Sequence, residues 1–396
     1  MREGWEQSEL SSIAEVVMGQ SPPGTSYNSV GSGIPFIQGS AEFGAIHPSP
    51  AKWCTDPRKI AEPGDVLFSV RAPVGDLNVA NQRIAIGRGL SIIRGTDGKA
   101  STSFLALALS FGASEIAKRS STGMFTSITG AQLKSLPIAL PPLGEQRRIV
   151  DLMDSVDAAI SAAQAAVDAA VELRDQVLGH ELRTPGAGWE QTTLGKIAHR
   201  TIGRTPPRKE SKYWTDDIQM PFCTIKSMQD RANMSFSEGV TEEATSDKVA
   251  KLAPEGALLL SFKLSIGRVR FAPRDVYFNE AIAWIRPIES TAKKEFVALA
   301  LENVDWDSLG SRAVKGKTLN SQSLDSVPIP LPPLHEQERM VETMNTLDET
   351  VEASRASLDR LRDLRPSMLS VLLSGEHEIP NSYDQFLELS DDERAG

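Results

Sequence analysis

The sequence predicts an α+β protein: two similar mixed α/β domains joined by two long antiparallel coiled-coil helices. Three observations carry this. Blocks recur, with Gly4-Trp5-Glu6-Gln7 returning as Gly188-Trp189-Glu190-Gln191, and Leu140-Pro141-Pro142-Leu143-Gly144-Glu145-Gln146 returning as Leu331-Pro332-Pro333-Leu334-His335-Glu336-Gln337. Behind each Pro-Pro block lies a long run whose apolar residues step by three and four. Before each block lies a segment of short apolar runs punctuated by Gly, Pro and Ser. A repeat of this size duplicates a whole domain and far exceeds a solenoid period.

Taken in order, Leu10, Ile13, Ala14, Gly19, Pro22 and Pro23 match Leu194, Ile197, Ala198, Gly203, Pro206 and Pro207 at one offset. A short helix is expected from about Leu10 to Val17, followed by a Gly/Pro/Ser-rich loop. Strands are expected at Ile34–Gln38, Val66–Val70 and Leu90–Arg94, a helix at Ser103–Lys118, and a final strand at Leu136–Leu140. The second segment repeats this with Met220–Ile225, Ala257–Phe262, Ala281–Arg286, a helix around Lys293–Asn303, and Val327–Leu331. The expected domains are 1–143, a central helix 144–184, a second domain 185–334, a C-terminal helix 335–374 and an acidic tail 375–396.

The double prolines can precede a helix but not sit inside one. Glu145 and Glu336 then fall in a first turn, where the helix dipole favours them. The first seam is Met153, Val156, Ile160, Ala163, Val167, Ala170, Arg174 and Val177. The second is Met344, Leu347, Val351, Ser354, Leu358, Leu361, Arg365 and Met368, each matching its counterpart, with the two arginine breaks coinciding. Helices of roughly 35 to 40 residues span about 55 Å. That exceeds one ordinary domain, so the seams are expected to face each other. The first run without Pro or Gly ends near Gly179.

Across 396 residues the formal net charge is −10, and the tail from Glu376 holds seven acidic residues against one arginine. That tail is expected to be solvated or disordered. Cys54 and Cys223 lack disulfide-framework or zinc spacing. No apolar signal region or membrane-length run is present, so a cytoplasmic setting without membrane contact is expected.

Catalytic patterns are missing. The five histidines are scattered, and no G-x-S-x-G elbow occurs. Lys315-Gly316-Lys317-Thr318 resembles a P-loop ending, but its first glycine, Gly310, falls one place early. No metal or cofactor is expected. Basic clusters are more informative. Arg200, Arg204, Arg208, Lys209 and Lys212 run into Tyr213-Trp214; Lys263, Arg268, Arg270 and Arg274 follow without an acid; Arg71, Arg83, Arg88 and Arg94 recur in the first segment. Basic loops with Gly and aromatics suit phosphate contact and base-edge readout. Each cluster alone is compatible with an incidental solvated face; their recurrence in both segments favours DNA.

The ordered motifs resemble the specificity subunit of a type I restriction-modification system. They are Gly203-Arg204-Thr205-Pro206 with Tyr213-Trp214, Pro254-Glu255-Gly256, and Ser265-Ile266-Gly267-Arg268-Val269. In the first segment they are Gly19-Gln20-Ser21-Pro22-Pro23-Gly24, Ile34-Pro35-Phe36-Ile37-Gln38-Gly39, Ser69-Val70-Arg71-Ala72-Pro73-Val74-Gly75, and Gly87-Arg88-Gly89-Leu90. The resemblance runs from Gly4 to about Ser374. It implies two target-recognition domains, each reading half of a split site on double-stranded DNA, with the helices as spacer. It further implies two docked methyltransferase subunits, motor/nuclease subunits, and no chemistry in this chain. The expected DNA-binding residues are Gln20, Gln38, Arg71, Arg88, Arg204, Lys209, Lys212, Lys263, Arg268 and Lys317, with Asn78 and Gln82 as further base-reading candidates. The expected coiled-coil residues are Met153, Val156, Ile160, Val167, Met344, Leu347, Val351 and Leu358. The alternatives are a specificity subunit of another modification or defence system, and a scaffold that binds protein rather than DNA.

Overall fold

The computed structural model describes residues 2–112, 127–186, 188–230, 233–310 and 321–387. The chain forms two compact units, Met1–Gln164 with Ala356–Gly396, and Ala165–Arg355. Two 41-residue helices, Leu143–Arg183 and Leu334–Ser374, each contribute one half to each unit.

In the first unit Glu6–Glu9 pairs antiparallel with Pro137–Leu140. A four-stranded sheet has the order Ala14–Met18, Leu90–Gly95, Val66–Ser69, Leu77–Val79. A second sheet orders Tyr27–Asn28, Lys52–Cys54, Ile34–Ile37, Ile84–Ile86 and Ile60–Ala61, with Ile34–Ile37 parallel to Ile84–Ile86. The expected helix at Leu10–Val17 is one turn, Leu10–Ile13; Ala14–Met18 is a strand. Its Val16-Val17 pair belongs in the ladder against Ile92-Ile93, where β-branched side chains pack well. The helix begun at Thr102 reaches Phe111, capped by the Ser101 side chain accepting from Phe104 N; the expected continuation to Lys118 lies outside the described residues beyond Gly112.

The second unit repeats the plan. Glu190–Thr193 pairs with Pro328–Leu331, and a four-stranded sheet orders Ala198–Ile202, Ile282–Pro287, Leu258–Ser261 and Val269–Phe271. Phe222–Cys223 lies parallel to Val276–Phe278, as its counterpart does in the first unit. Each four-stranded sheet packs a helix and the long-helix halves over one core. Phe68, Phe104, Met153 and Leu369 share it in the first unit; Phe262, Phe296, Leu178 and Met344 share it in the second.

The repeated Glu-Gln pair latches each long helix to its unit. Trp5 Nε1 donates to Glu145 Oε2 at 3.1 Å, and Trp189 Nε1 donates to Glu336 Oε2 at 2.6 Å. Gln146 donates to the Pro141 and Lys99 carbonyls and accepts from Ser101 N; Gln337 donates to Pro332 and Thr291 and accepts from Lys293 N. Both glutamines are buried, and these bonds satisfy amides that would otherwise be costly there.

Within each unit the helix halves run antiparallel. In the first, Arg365 binds Asp157 and Arg362 binds Gln164; in the second, Arg174 binds Asp348 and Arg339 reaches Glu181. The two arginine breaks in the seams therefore each meet the aspartate at the matching place on the other helix. Met153, Val167, Met344, Val351 and Leu358 are buried, while Val156, Ile160 and Leu347 are half-buried. The first helix passes through Gly179 to Arg183, whose Nε donates back to the Gly179 carbonyl at 2.7 Å.

The acidic tail also departs from expectation. Through Leu387 it folds onto the first unit: Ile379 and Leu387 are buried, Asp384 binds Arg148 at 3.1 Å, and Tyr383 Oη donates to Asp151 at 2.9 Å. Burial and Asp151 push the Tyr383 phenol up to about 12. The apolar residues interspersed among the acids anchor this segment, which net charge alone hides.

Candidate nucleic-acid interface

Strand ends converge at one exposed place in each unit. In the first, Gly19 N donates to Leu90 O at 2.9 Å, Gly87 N to Ile37 O at 2.8 Å, and Val70 N to Gly89 O at 2.9 Å. These bonds bring the tips of four connections together, and the side chains they carry are Gln20, Gln38, Arg71 and Arg88, all exposed. Glycine makes the approach possible: a Cβ on Gly19 would lie 2.1 Å from Gly87 O, and one on Gly89 2.4 Å from Gln38 O. Arg88 Nε donates to Ser21 Oγ at 3.1 Å.

The second unit builds the same socket. Gly203 N donates to Ile282 O at 3.0 Å, Asn279 N to Cys223 O at 3.2 Å, and Phe262 N to Ala281 O at 3.0 Å. A Cβ on Gly203 would lie 2.1 Å from Asn279 O. Arg204 stands where Gln20 stands, Thr224 where Gln38 does, Lys263 where Arg71 does, and Glu280 where Arg88 does. Thr205 Oγ1 donates to Glu280 Oε2, as Ser21 receives Arg88 in the first unit. The Thr205 hydroxyl, helped by Lys263 and Arg208, holds the Glu280 carboxyl below the usual carboxylate range. Arg204 Nη1 donates to Lys248 O at 3.1 Å but stays exposed.

Other expected residues go elsewhere. Arg268 is half-buried and gives Nη1 to Ile225 O at 2.8 Å, bracing the turn next to Thr224. Lys209 and Lys212 are exposed on the Pro207–Tyr213 turn, and Lys212 lies 3.5 Å from Asp247. Lys317 and the P-loop-like stretch fall outside the described residues. The basic runs divide by function. Arg94 is bound to Asp65, Arg83 to Glu62, Arg200 to Asp325, and Arg274 to the Ile218 carbonyl. Arg208 binds Glu238 and stacks 3.7 Å over Trp214, so that arginine–aromatic pair braces its own loop. Asn78 is buried and donates to Gly44 O at 3.0 Å, which makes it structural; Gln82 is exposed. Sequence reading missed Ser21, Thr205, Thr224 and Glu280. Alignment of Glu280 with Arg88 across the repeat was the available signal, and a search for basic residues passes over it.

Among the described residues, no group of three or more His, Cys, Asp or Glu is placed to hold a metal ion, and no helix is long and apolar enough to cross a membrane.

Two copies of one mixed α/β module, each with strand connections converging beside one shared glycine, Gly19 or Gly203, and each latched to paired long helices, define a duplicated recognition protein. The chain belongs to the family of type I restriction modification DNA specificity domains, whose model matches residues 2–172 and again 187–362. Over 157 residues it is 42% identical to a Methanocaldococcus jannaschii protein named for the MjaX type I restriction enzyme specificity subunit, covering 39% of this chain and 37% of that one. It is 24% identical over 255 residues to the Escherichia coli EcoR124I/EcoR124II specificity subunit, covering 60% and 61%. These matches span between about two fifths and three fifths of the relatives' lengths. In fold it is similar to a chain from a structural study of type I R-M complex assembly and conformational transition (TM-score 0.69, 19% identity, 94% of this chain and 98% of that one). It is also similar to the HsdS subunit from Thermoanaerobacter tengcongensis (TM-score 0.52, 20% identity, 95% and 98%).

Proposed function

We propose that this chain is the DNA-reading subunit of a type I restriction-modification complex. It recognises a bipartite target on double-stranded DNA, residues 1–143 reading one half-site and 185–334 the other. The observation that carries this is the pair of sockets, alike in backbone and different in side chains: a shared frame suits a shared ligand class, and unlike side chains suit unlike base sequences. Arginine is suited to guanine, and glutamine to adenine. The paired helices serve as spacer, and the chain scaffolds two methyltransferase subunits and the motor/nuclease subunits. The chain itself supplies no chemistry; the methyl donor binds the methyltransferase, and the assembly works in the cytoplasm.

Sequencing methylated bases in a host with and without this chain tests the proposal. A two-part motif that disappears on deletion supports it. Unchanged methylation, together with binding to duplex DNA that does not fall steeply with salt, would reject it in favour of a protein-binding scaffold.

A further inference from the structure

We infer that Glu280 is a base-reading residue whose carboxylate accepts a hydrogen bond from the exocyclic amino group of a cytosine. This rests on the DNA-reading role proposed above. Glu280 occupies the place that Arg88 holds in the first socket, and it is exposed there. A carboxylate on a surface that meets phosphates is repelled unless it has a donor to bind. Its surroundings are arranged to keep it charged and aimed. Thr205 fixes Oε2, while Lys263 and Arg208 supply positive potential without closing an ion pair on it. Cytosine offers its N4 amino donor in the major groove. Guanine offers two acceptors, thymine an acceptor and a methyl group, and adenine a donor beside an acceptor. An acceptor-only carboxylate therefore selects cytosine, whereas the donor-only guanidinium of Arg88 selects guanine. One position of the frame thus carries opposite hydrogen-bonding polarity in the two units. Each is steadied by a hydroxyl, Ser21 or Thr205, that can accept or donate as needed.

The test replaces the chromosomal residue by Glu280→Gln and reads the methylated motif of the host. The expected result is relaxation at a single cytosine of one half-site, by roughly tenfold in preference, with the other half-site unchanged. Glu280→Asp should retain the cytosine preference, and Thr205→Val should weaken it at the same position. Because Glu280→Gln can abolish modification, binding by the purified chain is measured in parallel. The parental target duplex is compared with one in which that C·G pair is inverted. Inversion should cost the parent about tenfold and the variant nothing. If inversion costs both proteins equally, or if Glu280→Gln strengthens binding to all duplexes alike, Glu280 is only a repelling surface charge and the inference is overturned. A parent chain that directs no methylation and binds no duplex would instead reject the DNA-reading role itself.

Discussion

At Gly203 the Asn279 carbonyl oxygen sits where a methyl carbon would need to be, so Gly203→Ala must displace backbone. We expect it to destabilise the second unit by about 1–3 kcal/mol, read as a lowered denaturant midpoint. Exposed socket residues behave differently. Arg204→Ala, Arg71→Ala and Arg88→Ala should leave stability near the parent's and act on DNA binding. A phosphate contact lowers the salt slope by about one and weakens all duplexes; a base contact costs about 1–3 kcal/mol at one position. Duplex titrations across a salt series separate the two, and unchanged binding in all three would move the interface elsewhere. Arg174 is buried, and desolvation pulls its pKa down; Glu302 and Asp348 outweigh this and leave it raised. Arg174→Ala removes the buried cation that Asp175, Glu302 and Asp348 share and should cost about 3 kcal/mol, the low end for a broken buried pair because Asp348 keeps water contact. Burial pushes the Cys223 thiol up to about 12. It stays protonated in the fold, so its stabilising contribution is full below about pH 8.5 and fades as pH rises towards the folded value.

At the scale of elements, the long helices were legible because a three-four seam, two proline blocks and two arginine breaks repeat together. What the arginines do was not legible. That Arg174 meets Asp348 and Arg365 meets Asp157 depends on antiparallel register, which no local pattern encodes. A cysteine pair replacing Asp157 and Arg365 should be joined within one chain by a short bismaleimide, detected by mass spectrometry, while buried Cys54 and Cys223 react slowly. Linkage to other sites only would contradict the helix pairing. Leu10–Val17 misled because one turn of helix precedes a strand, and four residues cannot show a period. In the tail, acidic composition masked Ile379 and Leu387. Deleting residues from Glu376 onward should destabilise the first unit by on the order of 3 kcal/mol, from the apolar burial lost, with a lower melting temperature as the readout.

For the whole molecule, duplication made the fold class and family legible, since the order of motifs is more specific than any one of them. Socket membership was legible for the basic and amide side chains, Arg204 and Lys263 included, but not for Thr224 and Glu280. Gln20, Gln38, Arg71 and Arg88 could be nominated by type, but their meeting place is set by backbone bonds between connections distant in sequence. Replacing residues 4–136 with the corresponding part of a relative should change one half of the methylated motif and leave the other intact. Change in both halves, or in neither, would break the assignment of one domain to one half-site.

The glycine frame has a consequence for how such a protein acquires new targets. Side chains at the socket tips lie outside the cores, and exchanges at such surface positions usually shift stability by only about ±0.5 kcal/mol. Gly19 and Gly203, the glycine that both frames share, tolerate no comparable change. On the proposed reading, a lineage can wander through many recognition sequences along a nearly flat stability landscape, the two halves mutating independently. The mutational record should then show variable tips beside an unchanging glycine at positions 19 and 203, with more latitude at Gly87 and Gly89, whose counterparts are Asn279 and Ala281.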